Sequence, residues 1–229
     1  MKSLIRTILL GGLSLLAFSA LTVGVASAAA PEFSPTVNSK GKDMPFTIAA
    51  PSTTFYMKAD KLSFTCTSAS GNGEITGAKT AGGIGLTLKH CTGVNSSKEE
   101  CGVNSPGRAG GEVQSNALAG TLGKVKTTLA PSGVGLSLAS GTKGSEVVFE
   151  LEGSCLFSSP MKVEGSVIGA VANVGVSQRL NEVIFAAPEG AQKIREFEGG
   201  EEQSLKAFGV TMALEANDAL TFEEPVTVS

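Results

Sequence analysis

The chain has 229 residues, with 18 Lys and Arg against 21 Asp and Glu, 29 Gly, no Trp and one Tyr. Setting aside a leader that carries Lys2 and Arg6 leaves 16 bases against 21 acids, a net charge of −5. A nucleic-acid binder needs the opposite sign, because phosphate neutralisation supplies most of its affinity, so nucleic acid is excluded as a partner.

Lys2 and Arg6 form a basic start, Ile8 to Val25 is an apolar run, and Ala26-Ser27-Ala28 is a small-x-small cleavage site. This reads as a signal peptide over 1–28, with the exported chain beginning near Ala29 and no membrane attachment after cleavage. Residues 29–42, rich in Pro, Ser, Asn and Lys, read as a flexible leader. The remainder, 43–229, suits one all-β domain long enough to bury a core. With few aromatics that core rests on Val, Ile, Leu and Ala, so disulfides should matter more than in an aromatic-rich protein.

Short alternating segments then follow one another: Phe46 to Ala49, Thr53 to Met57, and Leu62, Phe64 and Cys66 against Ser63, Thr65 and Thr67. Ser70-Gly71-Asn72-Gly73 reads as a turn before Glu74-Ile75-Thr76, and Ala81-Gly82-Gly83 as another before Ile84, Leu86 and Leu88. Further strands are expected at Glu112 to Ser115, Leu118 to Leu129 with a break at Gly120 or Gly123, Val134 to Leu138, Glu146 to Cys155, and Met161 to Ile168. Asn181 to Ala186, Leu205 to Ala207, Val210 to Ala216 and Ala219 to Phe222 complete the set. Turn residues between them recur at intervals that fit an antiparallel two-sheet sandwich or a partly closed β-barrel. No window holds a helical period; Glu189 to Glu202 reads as a helical turn or a long acidic loop.

The block from Cys66 to Thr80, Cys-Thr-Ser-Ala-Ser-Gly-Asn-Gly-Glu-Ile-Thr-Gly-Ala-Lys-Thr, resembles a recurrent block in a family of secreted proteins of unknown function from high-GC Gram-positive soil bacteria. Leu118 to Gly123, Val163 to Gly169 and Phe197 to Gly200 look like later pieces of that family. The resemblance implies export and an all-β fold, and it implies no mechanism.

Four cysteines in an exported chain read as two disulfides. Cys91 and Cys101 bracket a short polar loop, which favours pairing them and leaves Cys66 for Cys155. His90-Cys91 with Glu99-Glu100-Cys101 matches no zinc spacing, so no metal is expected there. His90 is the one histidine and no Gly-x-Ser-x-Gly elbow is present, which argues against a serine triad.

The strongest enzymatic pattern is Glu150 and Glu152, two carboxylates about 7 Å apart on one strand face, as a glycan hydrolase would need. Alternating glutamates on a solvated strand explain the same residues, and the chain offers little aromatic surface for a sugar. Glu196, Glu198, Glu201 and Glu202 around Gly199-Gly200 read as an exposed acidic loop, with calcium binding left open. The function expected is therefore a secreted non-enzymatic module, binding or structural, with an unknown ligand or surface partner and no cofactor. The alternative is a hydrolase using Glu150 and Glu152.

Overall fold

The computed structural model describes residues 30–95, 97–153 and 160–229. The expected signal peptide and Cys155 lie outside these residues. Among the described residues fourteen strands form one antiparallel sheet. In chain order they are β1 (Phe33–Ser34), β2 (Met44–Ala50), β3 (Thr53–Met57), β4 (Leu62–Gly77), β5 (Thr80–Val94), β6 (Glu100–Asn104) and β7 (Glu112–Gln114). They continue as β8 (Leu118–Lys124), β9 (Val134–Ser140), β10 (Val147–Gly153), β11 (Met161–Val171), β12 (Gln178–Phe185), β13 (Leu205–Ala207) and β14 (Val210–Val228).

The β4–β5 hairpin is the spine. Ala78-Lys79 makes its two-residue turn, with Gly77 facing Thr80, and the ladder runs unbroken in direction to Ser63 facing Val94. The expected turn at Ser70 to Gly73 is strand. Its glycines mark a close approach instead, since a Cβ on Gly73 would stand 2.7 Å from the Phe46 ring and 2.8 Å from Ile84. Because the turn is at 78–79, Cys66 and Cys91 fall directly opposite one another and form a disulfide, with Cα atoms 3.9 Å apart. This corrects the expected Cys91–Cys101 and Cys66–Cys155 pairing. Cys101 faces Gly93 on the far side of β5, two residues along from Cys91. It is also disulfide-bonded.

At the disulfide the hairpin changes face. Leu88 and Cys91 are both buried while Lys89 and His90 between them are exposed, and His90 has φ 52°. On β4 the matching pair, Cys66 and Ala69, is buried in the same way. The four long strands β4, β5, β11 and β14 thus serve two closed circuits of pairing. One runs β4–β5–β8–β9–β11–β12–β14–β2 and back to β4. The other runs β4–β5–β6–β10–β11–β13–β14–β3 and back to β4.

One main core lies inside, from Phe46, Ile75, Ile84 and Leu122 through Phe55, Phe64, Phe149 and Leu205. Phe55 stacks on Phe64 with ring centroids 4.6 Å apart and meets Phe149 edge-on at 5.5 Å, so three rings supply much of the aromatic contact in the second circuit. A small outer cluster of Val125, Ala130, Ile168 and Ile194 packs beneath Phe197.

Two stretches differ from their expected form. In 29–42, Phe33 is buried and β1 pairs with Val228 and Thr227 of β14, so this segment is held rather than loose. An apolar residue in a polar run was its anchor. In β14 the expected break at Asn217-Asp218 is absent, and Val210 to Val228 is one strand with Met212, Leu214, Ala216, Asp218, Leu220 and Phe222 facing inward.

Candidate functional site

The two glutamates of the hydrolase pattern lie on β10. A bulge between Val147 and Phe149 buries both Val148 and Phe149, which departs from strict alternation, yet Glu150 and Glu152 still share the outer face. Glu150 stands opposite Lys162 and Glu152 opposite Asn104, both half-buried on ladders between neighbouring strands. This is the environment of a sheet face, with a Lys at the cross-strand position facing Glu150. His90 is exposed at the hairpin's change of face, next to the disulfide.

Concave surface occurs elsewhere, around the segment from Ala186 to Ser204. Pro188 to Gly190 makes a single 3-10 turn that brings Gly190, φ 74°, against Tyr56, where a Cβ would lie 3.4 Å from the Tyr56 Cβ. Tyr56 donates a hydrogen bond to Glu215 at 2.9 Å, and partial burial with the neighbouring carboxylate holds its phenol above the usual tyrosine range. Gln192 then pins the segment to the sheet. Its Oε1 accepts from the Leu214 amide at 2.9 Å, and its Nε2 donates to the Ala186 carbonyl at 3.4 Å.

Phe197 covers Gly123 of β8 and Gly135 of β9; a Cβ on Gly123 would stand 2.5 Å from its ring. Two more bonds close the loop: the Glu198 amide donates to the Lys124 carbonyl at 2.8 Å, and the Gln203 amide donates to the Arg195 carbonyl. The acidic loop is therefore seated by its one aromatic residue. Two of its carboxylates meet cations, Glu196 with Lys126 at 3.4 Å and Glu202 with Arg195 at 2.9 Å. Among the described residues no group of three or more acidic, His or Cys side chains converges as a metal site would require.

Ser204 separates two grooves. On one side a polar groove of about 350 Å³ is lined by Glu146, Glu164, Glu202, Gln203 and Lys206. On the other, a larger groove of about 730 Å³ has Lys58, Lys193 and Arg195 on its walls and Val210 and Met212 among its apolar lining. The second volume lies in the range of small-molecule sites.

Inside the molecule, where the two circuits meet, a cavity of about 30 Å³ is lined by Phe55, Leu88, Phe149, Leu214 and the Asp218 carboxyl among others. That is room for about two waters. Asp218 is 8% exposed, and burial pushes its carboxyl up to about 7. On the same inward face, Asn181 of β12 keeps a buried Nδ2 without a hydrogen-bond partner, while its Oδ1 accepts from the Glu182 amide at 2.8 Å. Asp218 was legible in principle, because the inward alternation of Met212, Leu214, Ala216, Leu220 and Phe222 passes through it. The groove was not, since Lys58, Lys193 and Arg195 are brought together only by the pairing of β3 with β14 and the pinning of Gln192.

The fold and these grooves define a disulfide-braced, all-β antiparallel protein. No family model, curated protein or solved structure matches the chain. Among the described residues no helix is long and apolar enough to cross a membrane.

Proposed function

We propose that this is an exported, non-enzymatic module that binds a ligand or partner outside the cell, of the kind its resemblance to secreted proteins of high-GC Gram-positive bacteria suggests. The observation that carries the reading is the 730 Å³ groove beside a segment fixed by Gln192 and Phe197, a concavity formed before any ligand arrives. Export is supported by the leader pattern of residues 1–28 and by a fully buried disulfide between β4 and β5, a bond that persists in oxidising compartments.

Protein collected from culture medium is expected to begin within a few residues of Ala29 and to be retained by isolated cell walls or a surface partner. Incubation with cell-wall and plant polysaccharides is expected to release no reducing ends, and Glu150→Gln with Glu152→Gln is expected to leave folding and retention unchanged. Release of reducing ends that the double variant abolishes would replace this reading with the hydrolase.

A further inference from the structure

The larger groove departs from the charge of the whole molecule. The chain from Glu189 onward carries nine acids and three bases, yet two of those three bases, Lys193 and Arg195, turn into this groove beside Lys58. No acidic side chain lines it. Lys58 and Lys193 make no ion pair among the described residues, while Arg195 meets Glu202, which lines the other groove. Between the cations, Val210, Met212 and the small residues Ala59, Ala191 and Ala213 give an apolar floor.

We propose that this groove binds an organic anion, a carboxylate or phosphate on a compact apolar body, and that Glu202 holds Arg195 in place until the ligand displaces it. This rests on the binding-module reading and names the ligand class. A guanidinium recognises carboxylate and phosphate through the same paired N–H donors, so Glu202 occupies Arg195 as a ligand's acid group would. Both side chains are more than half exposed, at 57% and 59%, and an exposed pair of this kind is held weakly enough to exchange. Lys58 and Lys193 contribute long-range attraction, and the apolar floor discriminates against inorganic ions, which have no body to bury. Gln192 supplies rigidity: both ends of its amide are already bonded, so the wall need not reorganise.

The test is an amide NMR titration of the full exported chain with phenyl phosphate and 4-phenylbutyrate, against inorganic phosphate and neutral 4-phenylbutanol. The two organic anions are expected to shift the amides of Gln192, Lys193, Thr211 and Met212, with apparent affinity falling as salt rises. Phosphate alone and the alcohol are expected to bind at least about tenfold more weakly. A preference for one organic anion over the other assigns the acid group. Glu202→Gln is expected to tighten binding several-fold, and Lys58→Met with Lys193→Met to weaken it about tenfold or more, both with unchanged amide spectra elsewhere. Equal shifts from the alcohol, shifts confined to other surfaces, or Glu202→Gln weakening binding would each overturn the proposal. Retention on cell walls that persists in the Lys58→Met, Lys193→Met variant would preserve the binding module while removing this groove as its site.

Discussion

Asp218 is the residue where local chemistry and fold conflict most. A carboxyl at an inward position of β14, lining an apolar cavity, loses its hydration without gaining a charged partner, and no other titratable group lines that cavity. Its folded value of about 7 lies above the ordinary 3.8, so the native state keeps a proton that the unfolded chain releases. Stability contributed in this way is whole below about pH 4, falls as pH rises toward 7, and is flat above that. Glu224 works in the opposite sense and in another window. Hydrogen bonding with Ser39, from its side chain and from its amide at 3.0 and 3.1 Å, holds the Glu224 carboxyl below the usual range, so its contribution is lost only on acidification. Denaturant midpoints at pH 5 and pH 8 should therefore separate them. The wild type is expected to lose on the order of 3 kcal/mol between those values, and Asp218→Asn to be nearly level and the more stable of the two at pH 8. A wild-type protein equally stable at both pH values would show that the carboxyl reaches water.

At the scale of elements, the β4–β5 hairpin decides the covalent framework. A two-residue turn at Ala78-Lys79 puts residues whose numbers sum to 157 opposite each other, and the two local register shifts along the ladder cancel before Cys66 and Cys91. Peptide mapping of unreduced protein is expected to yield a Cys66–Cys91 fragment; a Cys91–Cys101 fragment would defeat this connectivity. The loop between the paired residues spans 25 positions, worth about 3.5 kcal/mol in the chain-entropy picture, so Cys66→Ala with Cys91→Ala should lower stability by that order. Much of the element level was legible in the sequence. Alternation placed Phe46, Phe64, Leu88, Leu136 and Val163 in strands, and in the structure all five are buried. What misled was glycine. Gly71 and Gly73 carry the composition of a turn, yet here Gly73 lets Phe46 and Ile84 close over the strand and Gly71 lets the Gly85 carbonyl and Leu86 approach, and composition does not distinguish the two uses. Replacing the expected turns at 70–73 and 81–83, both of which are strand, by one at 78–79 changed which cysteine faces Cys66.

Across the whole molecule, the closed circuits were not legible, because each closure joins strands far apart in the chain and alternation carries no information about partners. Phe33 pairs with Val228, Phe46 with Phe222, and Tyr56 with Ala213, so the two ends of the chain meet in the same ladders. Both circuits need β14, the last of the described strands in chain order, and neither can close without it. Loop closure over such spans must precede the contacts that reward it, which predicts slow folding, in the range of sheet-rich proteins or beyond. It also bears on how the structure comes apart. A chain of more than about 150 residues commonly melts through intermediates. Here β4, β5, β11 and β14 each belong to both circuits, and the Cys66–Cys91 disulfide sits at the crossing, so neither circuit has a complete strand set of its own to retain when the other opens. Calorimetry is accordingly expected to show one transition, with van't Hoff and calorimetric enthalpies in agreement, and the Cys66→Ala, Cys91→Ala variant to melt lower but still in one step. Two resolved transitions in the wild type, or hydrogen exchange that protects β8, β9 and β12 after β6, β10 and β13 have opened, would show that the shared strands transmit less than their pairing implies.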